Sequence, residues 1–195
     1  MSPISQASLL LINTIGGFFL LVVILRFLLQ LVRADFYNPL SQFIVKATNP
    51  VLIPLRRIIP GFAGLDVASL ILAYAIQVGV MAVIFWLSFA FIPWGNILLW
   101  APLALVSLLL KIYFWGLIIM VVASWIAPNS YNPALILINQ ILEPVMRPIR
   151  NLLPNLGGID FSPIAIFLAI QMIEILVLGP IAQALNLPRG LVMGL

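Results

Sequence analysis

The sequence predicts an all-α membrane protein with four transmembrane helices, arranged as two tandem repeats of the same orientation, each carrying short interfacial amphipathic helices on the cytoplasmic side. Three observations lead there. Of 195 residues, 64% are hydrophobic and 7% charged, which leaves too little polar surface to cover a water-soluble globule. Four long apolar stretches carry that bias, and one pattern of Pro, Arg, Gly and Asp occurs twice at a fixed offset.

The stretches run from Ser8 to Val32, Ala68 to Ile92, Leu103 to Ile126 and Pro163 to Leu185. At about 1.5 Å per residue each is long enough to cross the ~30 Å hydrocarbon layer with some tilt. The first has neither a basic leading region nor a small-residue cleavage site, so it reads as a retained span. Its one charge, Arg26, is close enough to the cytoplasmic end to snorkel. The connection Pro93 to Pro102 reads as a short outer loop.

Basic residues set the orientation, because Lys and Arg are retained on the cytoplasmic side. Arg33, Lys46, Arg56 and Arg57 lie between spans one and two, and Arg147 and Arg150 between spans three and four. The tail before Ser8 and the Pro93–Pro102 connection carry no Lys or Arg. Both long connections are therefore expected in the cytoplasm and both termini outside, with Arg189 a weak opposing signal. The net charge of +4 is accounted for by this asymmetry, and no nucleic-acid partner is expected.

Tyr37-Asn38-Pro39 returns as Tyr131-Asn132-Pro133, 94 positions later. In the same ungapped register Pro50 meets Pro144, Pro54 meets Pro148, Arg56 meets Arg150, Pro60 meets Pro154, Gly64 meets Gly158 and Asp66 meets Asp160. So many matches in one register are not chance. They divide the chain into units 1–94 and 95–195, with interfacial segments 37–60 and 131–154. A unit with an even number of spans inserts each copy the same way up, which places the pseudo-twofold axis along the membrane normal.

In the first interfacial segment Leu40, Phe43, Ile44, Ala47 and Val51 fall at helical spacing, with Ser41, Gln42, Lys46 and Asn49 on other faces. Asn38-Pro39 and Asn132-Pro133 read as an N-cap followed by proline at the first helical position. Pro50 with Pro54, and Pro144 with Pro148, are expected to break each segment into two short in-plane helices joined by a bend.

Arg56, Arg57, Arg147 and Arg150 are candidates for docking lipid phosphate or a partner's carboxylate. The plainer reading is topology retention. Asp66 and Asp160 stand before outgoing spans as candidate helix caps, or as partners in an Asp–Arg bridge between the two halves of the cytoplasmic layer. Lys111 and Glu174 lie deep in spans three and four, and the equivalent positions in the first unit, Gly17 and Val80, are uncharged. An ion pair between them is the structural reading, and a cation or proton site the functional one. The G-x-x-x-G at Gly190–Gly194 falls beyond the last span and carries no weight as a dimer motif.

The chain has no cysteine and no histidine, which removes disulfides, nucleophilic thiols and zinc- or haem-type ligand sets. No cofactor or metal is implied, and no nucleophile–base pair suggests an enzyme.

The segments Asp35-Phe36-Tyr37-Asn38-Pro39, Pro54-Leu55-Arg56-Arg57-Ile58-Ile59-Pro60 and Gly157-Gly158-Ile159-Asp160-Phe161-Ser162-Pro163 resemble the bacterial YggT family, also called YlmG, in its two-repeat form. The resemblance implies a multi-pass protein of the bacterial inner membrane, so the outer side to which the charges assign both termini is the periplasm. It also implies links to osmotic or salt stress, to cation homeostasis and to division-associated processes; a plastid role in haem assembly transfers poorly to a chain without His or Cys. The leading expectation is a scaffold whose cytoplasmic segments dock an unknown protein partner or anionic lipid. The rival is an oligomeric cation channel or transporter component, for which a homo-oligomer would be needed and Lys111, Glu174, Gln77 and Gln171 would be the polar lining.

Overall fold

The structure, a computed structural model, describes residues 3–62, 64–127, 130–152 and 160–188. Among them are six helices: α1 (Pro3–Leu31), α2 (Pro39–Ile58), α3 (Val67–Phe89), α4 (Trp94–Ile126), α5 (Pro133–Leu152) and α6 (Ser162–Ala184). Four of them, α1, α3, α4 and α6, are long and apolar enough to cross a membrane. Pro154, Gly158, Arg189 and the Gly190–Gly194 motif lie outside the described residues.

Apolar surface on these helices is shared among three clusters. The largest joins the C-terminal half of α1, through Val23, Leu28 and Leu29, to Ile44 and Leu52 of α2, Ala68 and Leu72 of α3, and Leu137 and Ile141 of α5. At the opposite end Met81 and Phe85 of α3 meet Ile97, Trp100 and Ala104 of α4. The third packs Leu117 of α4 and Leu142 and Met146 of α5 against Ile166 and Ile170 of α6. Much of the remaining apolar surface is exposed: Leu10, Phe18, Trp86, Leu99, Trp115, Leu168 and Leu176 are all more than half exposed. Side chains of this kind on spanning helices face lipid.

α4 begins at Trp94, so Pro93–Pro102 is not a loop; only Ala90–Pro93 joins α3 to α4. Pro102 sits inside the helix and cannot donate to the carbonyl four residues earlier, Leu98. That carbonyl accepts instead from the Tyr74 hydroxyl of α3, at 3.1 Å. A neighbouring helix thus satisfies the group that proline frees, which is the condition for proline inside a membrane helix. Trp100 Nε1 donates to Leu185 O at 2.9 Å and ties the same region to the end of α6.

The two interfacial segments are likewise unbroken. α2 carries Pro50 and Pro54 within one helix, and α5 carries Pro144 and Pro148, so the expected bend between two short helices does not occur. Each proline removes one backbone hydrogen bond, but the two stand four residues apart and so remove bonds from the same side of the helix, one turn apart. Packing of the opposite side holds the rest: Ser41, Ile44, Thr48 and Leu52 of α2 are buried, a stripe at i, i+3, i+7 and i+11. Leu40, Phe43 and Val51, expected on one face with Ile44, are exposed.

α6 departs from α-helical geometry in the middle. Glu174–Leu178 is a π-helical turn between Ser162–Ile173 and Gly179–Ala184, and Gly179 N–H donates to Glu174 O, five residues back. Pro180 explains it. In an α-helix its ring would press on the carbonyl of Leu176, and widening the preceding turn relieves that clash. Gly179 fits this turn because a Cβ there would stand 3.2 Å from Glu174 O.

The two span pairs differ in closeness. A Cβ on Gly16 of α1 would lie 2.5 Å from Val80 Cγ2 of α3, so those helices meet over a glycine. Between α4 and α6 the contact is made by bulky side chains, with Phe114 edge-on to Phe167 at 5.1 Å.

Candidate functional site

The recurring Arg and Asp residues meet beyond the C-terminal ends of α2 and α5, before α3 and α6 begin. In the first unit Arg56 is in the last turn of α2, a favourable place for a cation. Its Nε donates to Asp66 Oδ1 at 3.3 Å, its Nη2 pairs with Asp66 Oδ2, and the same Nη2 reaches Gln30 Oε1 of α1 at 3.1 Å. Asp66 caps α3, accepting from the backbone N–H and the hydroxyl of Ser69. One guanidinium thus fastens three helices. Between Arg56 and Asp66 the chain makes a tight turn, with Phe62 and Leu65 exchanging backbone hydrogen bonds and Gly64 at φ +82°, a conformation glycine adopts without strain.

Burial pushes the Asp66 carboxyl up, but hydrogen bonds from Arg56 and Ser69 and the Arg56 charge outweigh it and hold the group below the usual carboxylate range. Asp66 is almost completely buried. A second cation stands behind this pair: Arg26 of α1 is 7% exposed, its Nε and Nη1 have no protein partner, and its guanidinium lies 5.3 Å from the centre of the Phe36 ring. Arg26 is therefore buried near Asp66 and Arg56, not extended towards the membrane surface.

The second unit repeats the pair in a more open setting. Arg150 Nε donates to Asp160 Oδ2 at 3.1 Å and Nη1 stands 3.6 Å from Glu143 Oε2. Asp160 Oδ1 accepts from Ser162 N at 2.9 Å at the start of α6. Its partial burial raises the carboxyl, and the Ser162 bonds and Arg150 lower it further, for a net depression. Both partners are more than two-fifths exposed. The Asp–Arg bridges therefore close each unit on itself and do not join the two halves.

In this layer the halves are joined by hydrogen bonds from Asp35 and Asn38, just before α2, to α5. Asn38 Oδ1 caps α2 by accepting from Leu40 N, and its Nδ2 donates to Pro133 O of α5 at 2.7 Å. Asp35 N donates to Gln140 Oε1 at 3.1 Å. Asn132 accepts from Ala134 N in the same way as Asn38 but is exposed.

The four candidate docking arginines thus separate. Arg56 and Arg150 are engaged by carboxylates, whereas Arg57 and Arg147 are exposed and, among the described residues, have no ion pair or hydrogen bond; the same holds for Lys46. A groove of about 400 Å³ opens between α4 and α5, lined by Met120, Ser124, Ser130, Leu135 and Asn139 among others. Its counterpart in the first unit contains Arg26, Gln30 and Phe36, the positions of Met120, Ser124 and Ser130 in the repeat register.

Lys111 and Glu174 are not brought together: no ion pair or hydrogen bond among the described residues involves either. Phe114 packs on Phe167 of α6, whereas Lys111 lines a groove with Leu21 of α1 and Ile138 of α5. Sequence reasoning missed Gln30, Phe36, Tyr74 and Gln140, which contact other segments of the chain, and Ser69, which bonds the Asp66 cap of its own helix. Gln30, Phe36, Ser69 and Tyr74 are matched 94 positions later by Ser124, Ser130, Pro163 and Leu168, so a search for repeats passes over them.

These features define an all-helical protein with four helices long and apolar enough to span a membrane, and with one Asp–Arg pair beyond the end of α2 and another beyond the end of α5. The chain belongs to the CCB3/YggT family, whose profile matches residues 5–90 and 99–181. It is similar to an uncharacterized protein of Pseudomonas aeruginosa, 52% identical over 98% of both chains. It is also similar to a Vibrio alginolyticus protein described by its position 3′ of proC, 39% identical over 88% of this chain and 95% of that one. YggT of Escherichia coli K12 is 37% identical, over 84% of this chain and 85% of its own. No solved structure matches.

Proposed function

We propose that the chain is a non-enzymatic scaffold of the bacterial inner membrane, with both termini in the periplasm. Its cytoplasmic layer docks a protein partner or gathers anionic lipid in osmotic-stress or division-related membrane processes. The observation that carries this reading is the division of labour among the arginines. Arg56 and Arg150 are consumed in fastening the layer, while Arg57, Arg147 and Lys46 stay exposed and unpaired on it, where a guanidinium or ammonium meets phosphate or carboxylate groups. The test places photocrosslinkers at the exposed positions 53 and 151 of the full chain, leaving the arginines in place. Arg57→Ala with Arg147→Ala removes crosslinks to anionic lipid or to a partner while leaving insertion intact; undiminished crosslinking refutes the reading.

A second reading, an oligomeric cation channel or transporter component, is favoured by Glu174, which has no partner within the chain and opens the π-helical turn of α6. Potassium or sodium flux in liposomes that Glu174→Gln abolishes would select it over the scaffold.

A further inference from the structure

Lys111 lies near the middle of α4, about 22 Å from its cytoplasmic end, and Glu174 about 18 Å from the cytoplasmic end of α6, at 1.5 Å per residue. The two charges are therefore at nearly the same depth. Neither can leave the hydrocarbon layer by stretching, because the interface is about 15 Å from the midplane, beyond the reach of a lysine stem. Lipid supplies no counter-charge there, so each needs a partner that the chain itself does not provide.

The surroundings of both are open and complementary. Lys111 is half-buried in a groove of about 520 Å³, whose other walls, Leu21, Ile112, Trp115, Ile119 and Ile138, are apolar. Glu174 is half-buried at the margin of the exposed face of α6, beside exposed Gln171 and Ile175. In the first unit the same positions are Gly17 and Val80, where α1 and α3 close on each other. The second unit carries opposite charges at those positions, and they do not meet.

We propose that this surface is filled by a second copy of the chain: α6 of one copy seats against the Lys111 groove of the next, and Glu174 of one pairs with Lys111 of the other. Copies inserted in one orientation are related by an axis along the membrane normal, so the assembly closes as a ring, or as a twofold dimer in which the two pairs are reciprocal. Closure leaves no Lys111 or Glu174 unpaired. Polar pairing between spans, together with apolar side chains filling the groove, then holds the copies together.

The chain has no cysteine, which permits a direct test with the charges intact. Trp115 and Gln171 are exposed and lie one turn to the cytoplasmic side of Lys111 and Glu174 respectively. Trp115→Cys in one tagged full-length chain and Gln171→Cys in a second, co-expressed and oxidised in the membrane, give a mixed disulfide-linked dimer. Adding Lys111→Met to both chains, or Glu174→Gln to both, lowers that product at least tenfold, and the exchange Lys111→Glu with Glu174→Lys restores it. The proposal is overturned by absence of the mixed dimer, by a yield indifferent to the charge changes, or by an exchange variant that inserts at the wild-type level yet fails to crosslink. Counting photobleaching steps of the labelled wild-type chain in bilayers gives two or more per spot; one per spot also overturns it.

Discussion

Asp66→Asn isolates the charge at the centre of the first unit, because asparagine keeps the size and still caps a helix well. What disappears is the carboxylate that accepts two hydrogen bonds from Arg56, and with it the counter-charge for both Arg56 and the buried Arg26. Stranding one partner of a buried pair costs about 3–5 kcal/mol. The Arg56 side chain is 32% exposed, so water takes up part of the loss and about 2–3 kcal/mol is expected. The corresponding Asp160→Asn removes a pair exposed on both sides, and Arg150 keeps Glu143, so its cost is under about 1 kcal/mol. At about 2–4 °C per kcal/mol for a chain of this size, Asp66→Asn lowers the unfolding midpoint by about 4–12 °C and Asp160→Asn by at most about 4 °C. Both are read by thermal unfolding of the purified protein in one detergent. Adding Arg26→Leu to Asp66→Asn recovers part of the loss by removing the unpaired cation. Equal losses from the two aspartate variants, or no recovery with Arg26→Leu, would refute the reasoning.

Acid should reproduce the first variant: Asp66 and Asp160 are depressed in the folded chain, so their contribution is complete above the ordinary carboxylate value of about 3.9 and is lost as pH falls through the folded values. The unfolding midpoint is expected to hold down to about pH 4 and then drop, with a shallower drop in Asp66→Asn; parallel curves would contradict it. Tyr74→Phe removes the donor to Leu98 O and costs about 1 kcal/mol, but close to nothing in a Pro102→Ala background, where the backbone N–H returns; denaturation of the four chains as a double-mutant cycle checks this. Gly16→Val overpacks the α1–α3 contact by about 1–3 kcal/mol, whereas Gly79→Val, with open space around it, changes the midpoint little. Topology tags after Leu195 and within Ala90–Pro93 should report the periplasm, and a tag at Asn49 or Asn139 the cytoplasm; reversed labelling overturns the orientation.

The sequence by itself determined how many helices cross and roughly where, because the preference of a stretch such as Val67–Phe89 for lipid depends on its own length and composition and on no other part of the chain. It also showed which residues recur, and Arg56, Asp66, Arg150 and Asp160 all meet at the ends of the interfacial helices. Local rules misjudged the prolines. Pro50, Pro54 and Pro102 read as breakers, yet each stays inside a helix, and for Pro102 the reason is the hydroxyl of Tyr74 on another span. The left-handed residues that end α1, α3 and α6, Arg33, Ala90 and Asn186, give no glycine signal either. Partner choice was beyond the sequence for the same reason. Depth along a helix is a matter of counting residues, but which way Lys111 and Glu174 face depends on how α4 packs on its neighbours, with Phe114 against Phe167 of α6 and Lys111 in the groove beside Leu21 and Ile138. Only the tertiary structure decides that packing, and among the described residues it forms no ion pair between the two charges.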